Sequence, residues 1–245
     1  MNPVIQALSA SRDLGRLCEH TYLVNLLGAD STVLDLGANN GHFSHGIIRR
    51  HGCRVFALEP VSSLRSKIDR SPLLALLPLA AGGRNEKRTI HIFKSRCASL
   101  LEGKENEAAD QEEEIEVVSL REILGRAGIG RVDLMKVDIE GAELEMFDSA
   151  SDEDLLRCTQ ITVEFHDFLY PSHQPQVDAI RRRLQTIGFR AINFSLDNTD
   201  VLFFNASTTG IGLLHYYKLK YIAKYVRGIA RRMSKFGRSL RESAD

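Results

Sequence analysis

Segments typical of buried strands alternate with segments typical of helices along most of this chain, and this alternation restricts the fold more than any other feature. Strands are expected at 32–36, 54–59, 74–80, 132–139 and 160–165, and helices at 43–50, 61–68, 119–127, 142–150 and 176–187. Alternating units of this kind predict a parallel sheet with helices on both faces. The 245 residues suffice for one full domain of this class.

Other segments complete the expected architecture. Two further strands, 188–195 and 200–205, are separated by a turn and predict an antiparallel hairpin at one edge of the sheet. Strands at 88–93 and 115–118 are expected to flank an acidic surface loop. The chain is therefore predicted to be a doubly wound, mostly parallel α/β domain over 30–206, preceded by a helical segment, 1–29, and followed by a basic amphipathic helix, 211–241.

Composition excludes several classes of protein. Apolar residues make up 43% and charged residues 26%, which is ordinary for a globular chain. The longest apolar run spans nine residues, 73–81, whereas a membrane-spanning helix needs about 20. None of the four cysteines forms a C-x-x-C pair, and the first residues lack the pattern of a secretory signal. We therefore expect a cytoplasmic protein.

The net charge of zero conceals a basic C-terminal segment. Residues 213–245 contain nine Lys or Arg and only two Asp or Glu. Apolar residues there recur with helical spacing, at 219, 222, 226, 229, 233, 236 and 240. Three uses remain open: docking on this domain or on a second subunit, binding an anionic membrane on its inner face, or binding nucleic acid, which is the least favoured.

The most informative local feature is a glycine-rich turn between the first expected strand and helix. Asp35 lies near the strand end, where its carboxylate can accept from a ligand's ammonium group or fix the loop, and Gly37, Asn39 and Gly41 form the turn. Glycine lets the backbone bend tightly and approach a ligand, and free N–H groups at a helix start favour an anion. Compared with the G-x-G-x-x-G pattern, Asn39 replaces the middle glycine, which argues against a pyrophosphate.

The second strand ends in an acid. Glu59 lies 18 residues after Gly41, where its carboxylate can accept hydrogen bonds from a ribose diol. The turn and this acid together predict a nucleoside ligand. S-adenosylmethionine fits better than NAD, because it combines a ribose with an amino acid group and has no pyrophosphate.

Ionisable residues also cluster at the ends of two later strands. Lys136, Asp138 and Glu140 alternate along one strand, and Glu143 follows in the next helix. A neighbouring strand end contributes a second group of ionisable residues, Glu164 and His166. An ion-pair network that closes the rim of the sheet is the structural alternative to a catalytic site.

At this point the sequence resembles a known family. The runs Asp133–Glu143, Val33–Gly41, Leu58–Pro60 and Val163–His166 are similar to those of the FkbM-type methyltransferases, over roughly residues 30–205. The resemblance implies a class I, Rossmann-like methyltransferase fold, S-adenosylmethionine as cofactor and transfer to oxygen, often on a sugar or polyketide hydroxyl. It also covers Ala80, which together with Pro60 we expect beside the cofactor.

The residues receive roles on this basis. Asp138 and His166 are the candidate bases for an acceptor hydroxyl, and Asp138 alternatively holds the methionine ammonium. Glu140 and Glu164 are expected to hold acceptor hydroxyls, with Glu143 near the substrate and Lys136 in the catalytic cluster. A divalent metal held by Asp138, Glu164 and His166 is an alternative that their ligand types allow, but we expect no metal.

The sequence therefore predicts an S-adenosylmethionine-dependent O-methyltransferase acting on a glycan or a small hydroxylated metabolite. Methylation of RNA or protein is the second hypothesis. The third hypothesis is a non-catalytic, membrane-associated module with the same fold. The intact residues that argue against this third hypothesis are Gly37, Gly41, Glu59, Asp138 and Glu140.

Overall fold

The computed structural model describes residues 13–92 and 111–223, with side chains up to residue 221. The strands are β1 (Leu14–Leu17), β2 (His20–Leu23), β3 (Thr32–Leu36), β4 (Arg54–Leu58), β5 (Leu74–Leu77), β6 (Ala80–Ala81), β7 (Glu86–Ile92), β8 (Gln111–Val118), β9 (Leu134–Val137), β10 (Gln160–Val163), β11 (Phe189–Asn193) and β12 (Val201–Asn205). The α-helices are α1 (His42–His51), α2 (Ser62–Arg65), α3 (Leu120–Arg126), α4 (Glu143–Ser149), α5 (Asp152–Leu156), α6 (Gln174–Thr186), α7 (Ala206–Thr209) and α8 (Leu213–Tyr217).

Seven strands form the central sheet in the order β11-β12-β10-β9-β3-β4-β5. The five strands from β10 to β5 are parallel, and β12 runs antiparallel to both β10 and β11. This confirms the predicted doubly wound α/β sheet with an antiparallel C-terminal hairpin. A smaller sheet, in the order β6-β8-β7, lies in the insertion between β5 and α3.

Helices and sheet enclose two main apolar cores. One contains Leu124 of α3, Met146 of α4 and Ile180 of α6, packed with strand residues such as Leu36 and Val137. The other contains Phe43 and Ile47 of α1 with Val55 and Ala57 of β4. Strands buried on both faces read as nearly continuous apolar runs, which is why the sequence indicates them clearly.

The N-terminal segment differs from its prediction. The helical segment expected over 1–29 is wrong for residues 14–23, because β1 and β2 form an antiparallel hairpin there, with Leu17 opposite His20. The two turn residues, Cys18 and Glu19, have φ values of 45° and 67°. Two successive left-handed residues match the twist of a two-residue hairpin turn, although neither is the Gly or Asn that usually marks one.

Smaller differences concern element bounds. The third predicted strand, 74–80, is divided between the central sheet and the small one, because Pro78 lacks the N–H that a continuous ladder needs. Residues 111–114, expected in a loop, extend β8. Of the predicted C-terminal helix, 211–241, only the part up to residue 223 falls within the described residues, where α8 is followed by a π-helical turn, Lys218–Ala223.

Candidate active site

A cavity opens beyond the carboxyl ends of β3, β4 and β9. The central strand β3 lies between β4 and β9, so the sheet reverses its winding direction at this point, and ligands of open α/β sheets bind in the crevice there. The cavity is lined by Gly37, Asn39, Glu59, Pro60, Val61, Leu64, Leu79, Ala80, Ala81, Ile90, Asp138, Ile139 and Glu140.

Glu59 is fixed at the cavity wall by backbone amides. Its two carboxylate oxygens accept hydrogen bonds from the N–H of Asn39 at 2.7 Å and of Val61 at 2.9 Å. Burial raises the pKa of Glu59 to about 7, although these two amides and Lys136 act in the opposite direction. The carboxylate is thus oriented before any ligand arrives, and further hydrogen-bond donors would stabilise its charged form.

The glycine turn passes directly against the end of β9. Gly37 has φ of 82°, and a Cβ atom added there would lie 1.8 Å from the carbonyl oxygen of Asp138. Only glycine allows this approach between the two chain segments. Asn39 also adopts a left-handed conformation, with φ of 50°, which Asn tolerates better than most residues.

A buried lysine connects three elements behind the cavity. The Nζ of Lys136 lies 2.6 Å from the carbonyl oxygen of Gly37, 3.4 Å from Asp35 and 3.2 Å from Asp138. Burial alone would lower the pKa of Lys136, but the Asp35 and Asp138 carboxylates raise it above its ordinary value. Burial likewise acts to raise the pKa of Asp138, yet Lys136 and His20 hold it well below the usual range.

His166 is enclosed by two carboxylates. Its Nδ1 lies 3.0 Å from Glu143 and its Nε2 lies 3.4 Å from Glu140. Burial favours the neutral ring, but hydrogen bonds to Glu140 and Glu143 raise the pKa of His166 to about 11. In this arrangement His166 is an imidazolium at neutral pH, so it would have to lose that proton before acting as a base.

Glu140 and Glu164 lie near Asp138, and these three carboxylates form the acidic cluster. Burial and repulsion by Asp138 raise the pKa of Glu164 to about 7. Two groups bring three metal-type ligand atoms within 4.8 Å of one another: His20, Asp138 and Glu164, and Asp138, Glu140 and His166. The set considered from the sequence, Asp138 with Glu164 and His166, does not form such a group among residues 13–92 and 111–223.

The structure brings the predicted site residues to one end of the sheet in two layers. Among the predicted residues, those that line the cavity are Gly37, Asn39, Glu59, Pro60, Ala80, Asp138 and Glu140. Asp35, predicted as a cofactor ligand, is fully buried and accepts a hydrogen bond from the hydroxyl of Ser44 at 2.6 Å. Gly41, Lys136, Glu143, Glu164 and His166 also lie outside the lining, and their proposed roles stay predictions.

Sequence reasoning missed two kinds of site residue. The apolar part of the wall comes from Val61, Leu64, Leu79, Ala81, Ile90 and Ile139, which resemble ordinary core residues in sequence. His20 was missed because a helix was assigned where β2 lies. The run from Thr21 to Val24 is rich in β-formers, and this was the one available sign of a strand.

The fold and the cavity define a class of enzyme. A doubly wound sheet with an antiparallel C-terminal hairpin, a glycine turn after its central strand and an acid after the next strand is the arrangement of class I, S-adenosylmethionine-dependent methyltransferases. The family model of the methyltransferase FkbM domain matches residues 35–191. The chain therefore belongs to the FkbM methyltransferase family.

A relative from Pseudomonas aeruginosa, the AMB antimetabolite synthetase AmbE, is 26% identical over 205 residues. The match covers 67% of this chain and 10% of AmbE, so the chain spans about a tenth of the length of this relative.

Two solved structures are similar to the chain at low identity. The fibrillarin pre-rRNA processing protein of Methanococcus jannaschii is 12% identical, with 83% of this chain and 74% of that chain covered and a TM-score of 0.43. An rRNA methylase from Streptococcus thermophilus is 12% identical, with 84% and 97% covered and a TM-score of 0.40. These likenesses carry no information on the substrate of this chain.

Proposed function

We propose that the protein transfers a methyl group from S-adenosylmethionine to a hydroxyl oxygen of a glycan or small metabolite. The observation that carries this proposal is the composition of one cavity. Its lining contains the glycine turn and the preoriented acid Glu59 on one side, and Asp138, the first residue of an acidic cluster, on the other. The first half suits a nucleoside with an amino acid group, and the second suits a polar acceptor.

The residues present fit the cofactor. Glu59 is buried but borders the cavity. Burial raises its pKa, and hydrogen bonds donated by ribose hydroxyls would favour the ionised carboxylate again. Val61, Leu79 and Ile90 give the same wall an apolar surface suited to a flat base. Asp138, kept ionised by Lys136, is suited to an ammonium group.

S-adenosylmethionine supplies a methyl group already activated on a sulfonium sulfur, so the protein's task is to align the acceptor oxygen and to manage its proton. In the displacement, the new bond joins acceptor oxygen and methyl carbon while the sulfur–carbon bond breaks. The hydroxyl proton passes to a base. Asp138 and His166 are the candidates for this base.

A small acceptor is favoured over RNA or protein by two observations. The relative AmbE is by name a synthetase of an antimetabolite, which is a small molecule. The acceptor side of the site consists of carboxylates, namely Asp138, Glu140 and Glu164, which repel phosphates and suit hydroxyl donors. The presence of Asp138 and Glu140 in the lining of the same cavity as Glu59 also argues against a non-catalytic module.

The basic C-terminal segment is proposed to attach the enzyme to an anionic membrane or to a second subunit, and its residues from 224 onward lie outside the described part of the chain. No helix among the described residues has the length and apolar character to cross a membrane. Co-sedimentation of the full chain and of residues 1–210 with anionic and neutral liposomes tests the membrane proposal. Equal binding by both proteins would contradict it.

The acceptor class is tested with S-adenosylmethionine carrying a labelled methyl group. The enzyme is incubated with lipid-linked glycans, small metabolites, RNA and protein from cell extract, alongside Glu59→Ala and the control Glu122→Ala, which alters an exposed acid of α3. We expect label in a glycan or metabolite as an ether, with transfer reduced by Glu59→Ala alone. Label confined to RNA or protein would overturn the proposed acceptor class.

A further inference from the structure

A buried histidine outside the family match points into the acidic cluster. His20 of β2 is only 1% exposed, and its Nε2 makes no hydrogen bond within the described residues. This nitrogen lies 3.5 Å from a carboxylate oxygen of Asp138. The nitrogen therefore has an ion-pair partner but no hydrogen bond of ordinary length, and a buried polar atom so placed suits a ligand between the two groups.

The hairpin that carries His20 is held firmly on the sheet. Gln160 of β10 both donates to and accepts from the backbone of Leu23, at 3.1 and 2.8 Å. Asp200 accepts hydrogen bonds from the backbone and the hydroxyl of Thr21, at 2.9 and 2.7 Å. Thr21 and Leu23, which follow His20 in β2, are thus fixed, so the ring is presented to the cluster by a firmly held strand.

Three ligand atoms meet at this place. The imidazole nitrogen of His20 and carboxylate oxygens of Asp138 and Glu164 all lie within 4.8 Å of one another. The other ring nitrogen of His20 faces the hydroxyl of Thr162 at 3.4 Å, the kind of second contact that orients metal-binding histidines. The side chain of Asp138 is 25% exposed, which leaves the cluster open to solvent and substrate.

The neighbouring charges favour a cation at this position. Lys136 is close to Asp138, but Asp35 on its other side balances the lysine charge. Asp138 and Glu164 repel each other, and Lys136 and His166 offset this repulsion only in part. The second group of ligand atoms, around His166, differs because both nitrogens of that ring already face carboxylates.

We propose that His20, Asp138 and Glu164 bind a divalent cation of the Mn²⁺ type. One imidazole and two carboxylates suit such an ion, and three protein ligands leave coordination positions open. We infer that an acceptor fills these positions with two adjacent oxygens, such as a vicinal diol or a hydroxy acid. This use of the cation rests on the methyl transfer proposed above, whereas its binding does not.

Mn²⁺ binding to the full-length protein, freed of metal by chelation, tests the proposal by calorimetry and by the electron paramagnetic resonance of free Mn²⁺. The variants are His20→Gln and Glu164→Gln, with His91→Gln as control, since His91 also pairs with a carboxylate but lies on β7. We expect wild type and His91→Gln to bind one ion alike, and the two ligand variants to bind at least about tenfold more weakly.

The proposal is overturned if the wild type binds no Mn²⁺, if both ligand variants bind it as the wild type does, or if His166→Gln abolishes binding while His20→Gln does not. Should His20→Gln fail to fold, Glu164→Gln decides. Binding of S-adenosylhomocysteine, measured on the same samples, separates this proposal from the function. A protein that binds the nucleoside but no Mn²⁺ contradicts the metal site alone, and one that binds Mn²⁺ without methyl transfer to any acceptor contradicts the function alone.

Discussion

The ammonium group of Lys136 donates a hydrogen bond to the carbonyl oxygen of Gly37 at 2.6 Å and thereby ties the end of β9 to the glycine turn after β3. The two residues are 99 positions apart in the chain. The same ammonium lies within 3.4 Å of Asp35 and 3.2 Å of Asp138 and offsets part of their charge, so one buried side chain affects both the shape and the charge of the cavity's base.

Replacement of Lys136 by Met should destabilise the protein by about 3–5 kcal/mol, because it leaves buried carboxylates without their counter-charge. Chemical denaturation monitored by circular dichroism measures this change. Lys87→Met is the matched control, since Lys87 pairs with Glu114 at 2.6 Å on the exposed surface. Equal stability of the Lys136→Met variant and the control would show that the buried network contributes nothing.

Replacement of Gly37 by Ala should cost about 2–5 kcal/mol, as the sum of left-handed strain and a clash with the backbone of Asp138. Gly128→Ala separates the two causes, because Gly128 also has a positive φ, 63°, but has no atom within 4 Å of the added Cβ. The Gly128→Ala control should lose only about 1–2 kcal/mol of folding stability. The same measured loss in both variants would disprove the close approach of the turn to β9.

Glu59 should make the protein without cofactor less stable as the pH rises. Burial raises the pKa of Glu59 from 4.5 to about 7, so its contribution to stability is complete below pH 4.5 and is lost as the pH rises through 7. The shift corresponds to about 3 kcal/mol. Thermal unfolding from pH 4.5 to 8 should show this loss in the wild type and not in Glu59→Gln.

Cofactor affinity should change in the opposite direction, since ribose hydroxyls favour the ionised carboxylate of Glu59. We expect S-adenosylhomocysteine to bind about tenfold more tightly at pH 8 than at pH 6, as the apo carboxylate ionises. In Glu59→Gln, binding should be weaker and this part of the pH dependence absent. Parallel pH profiles of the two proteins would place the ribose elsewhere.

Glu143 should act as a positioning residue rather than a direct substrate contact. Its carboxylate accepts hydrogen bonds from the N–H groups of Ile139 and Gly141, at 3.0 and 3.1 Å, and faces His166. Glu143→Ala should therefore destabilise the protein by about 3–5 kcal/mol, because it leaves a buried imidazolium with one fewer partner.

The conservative variant Glu143→Gln should recover part of this stability, since an amide oxygen can still accept from the turn. Glu122→Ala, which alters an exposed acid, serves as the control for urea denaturation. Wild-type stability in Glu143→Ala would refute the positioning role.

The sheet and the meeting of the glycine turn with Glu59 at one cavity could be predicted because their signals are local. Buried parallel strands are continuous apolar runs, and Gly37, Asn39 and Glu59 lie at fixed places after such strands. The N-terminal hairpin could not be predicted in this way. Its apolar residues happen to repeat like those of a helix, and its turn uses Cys18 and Glu19 instead of glycine.

The charge state of the acidic cluster also lies beyond sequence reasoning. His166 is a candidate base in sequence because histidine ordinarily titrates near neutrality, but its pKa depends on Glu140 and Glu143, which approach it only in the folded chain. Similarly, Asp35 follows the pattern of a ligand in sequence, yet Ser44 and Lys136 cover it in the structure. Both the pKa of His166 and the covering of Asp35 depend on how closely the strand ends approach one another in the folded chain.

The hairpin of β1 and β2 precedes the segment that matches the family, residues 35–191, but it places His20 3.5 Å from Asp138 within that segment. The proposed metal site would therefore combine one ligand from the leading hairpin with two ligands, Asp138 and Glu164, from the family segment. Exchange of the hairpin would change one side of this cluster and leave Gly37 and Glu59 in place.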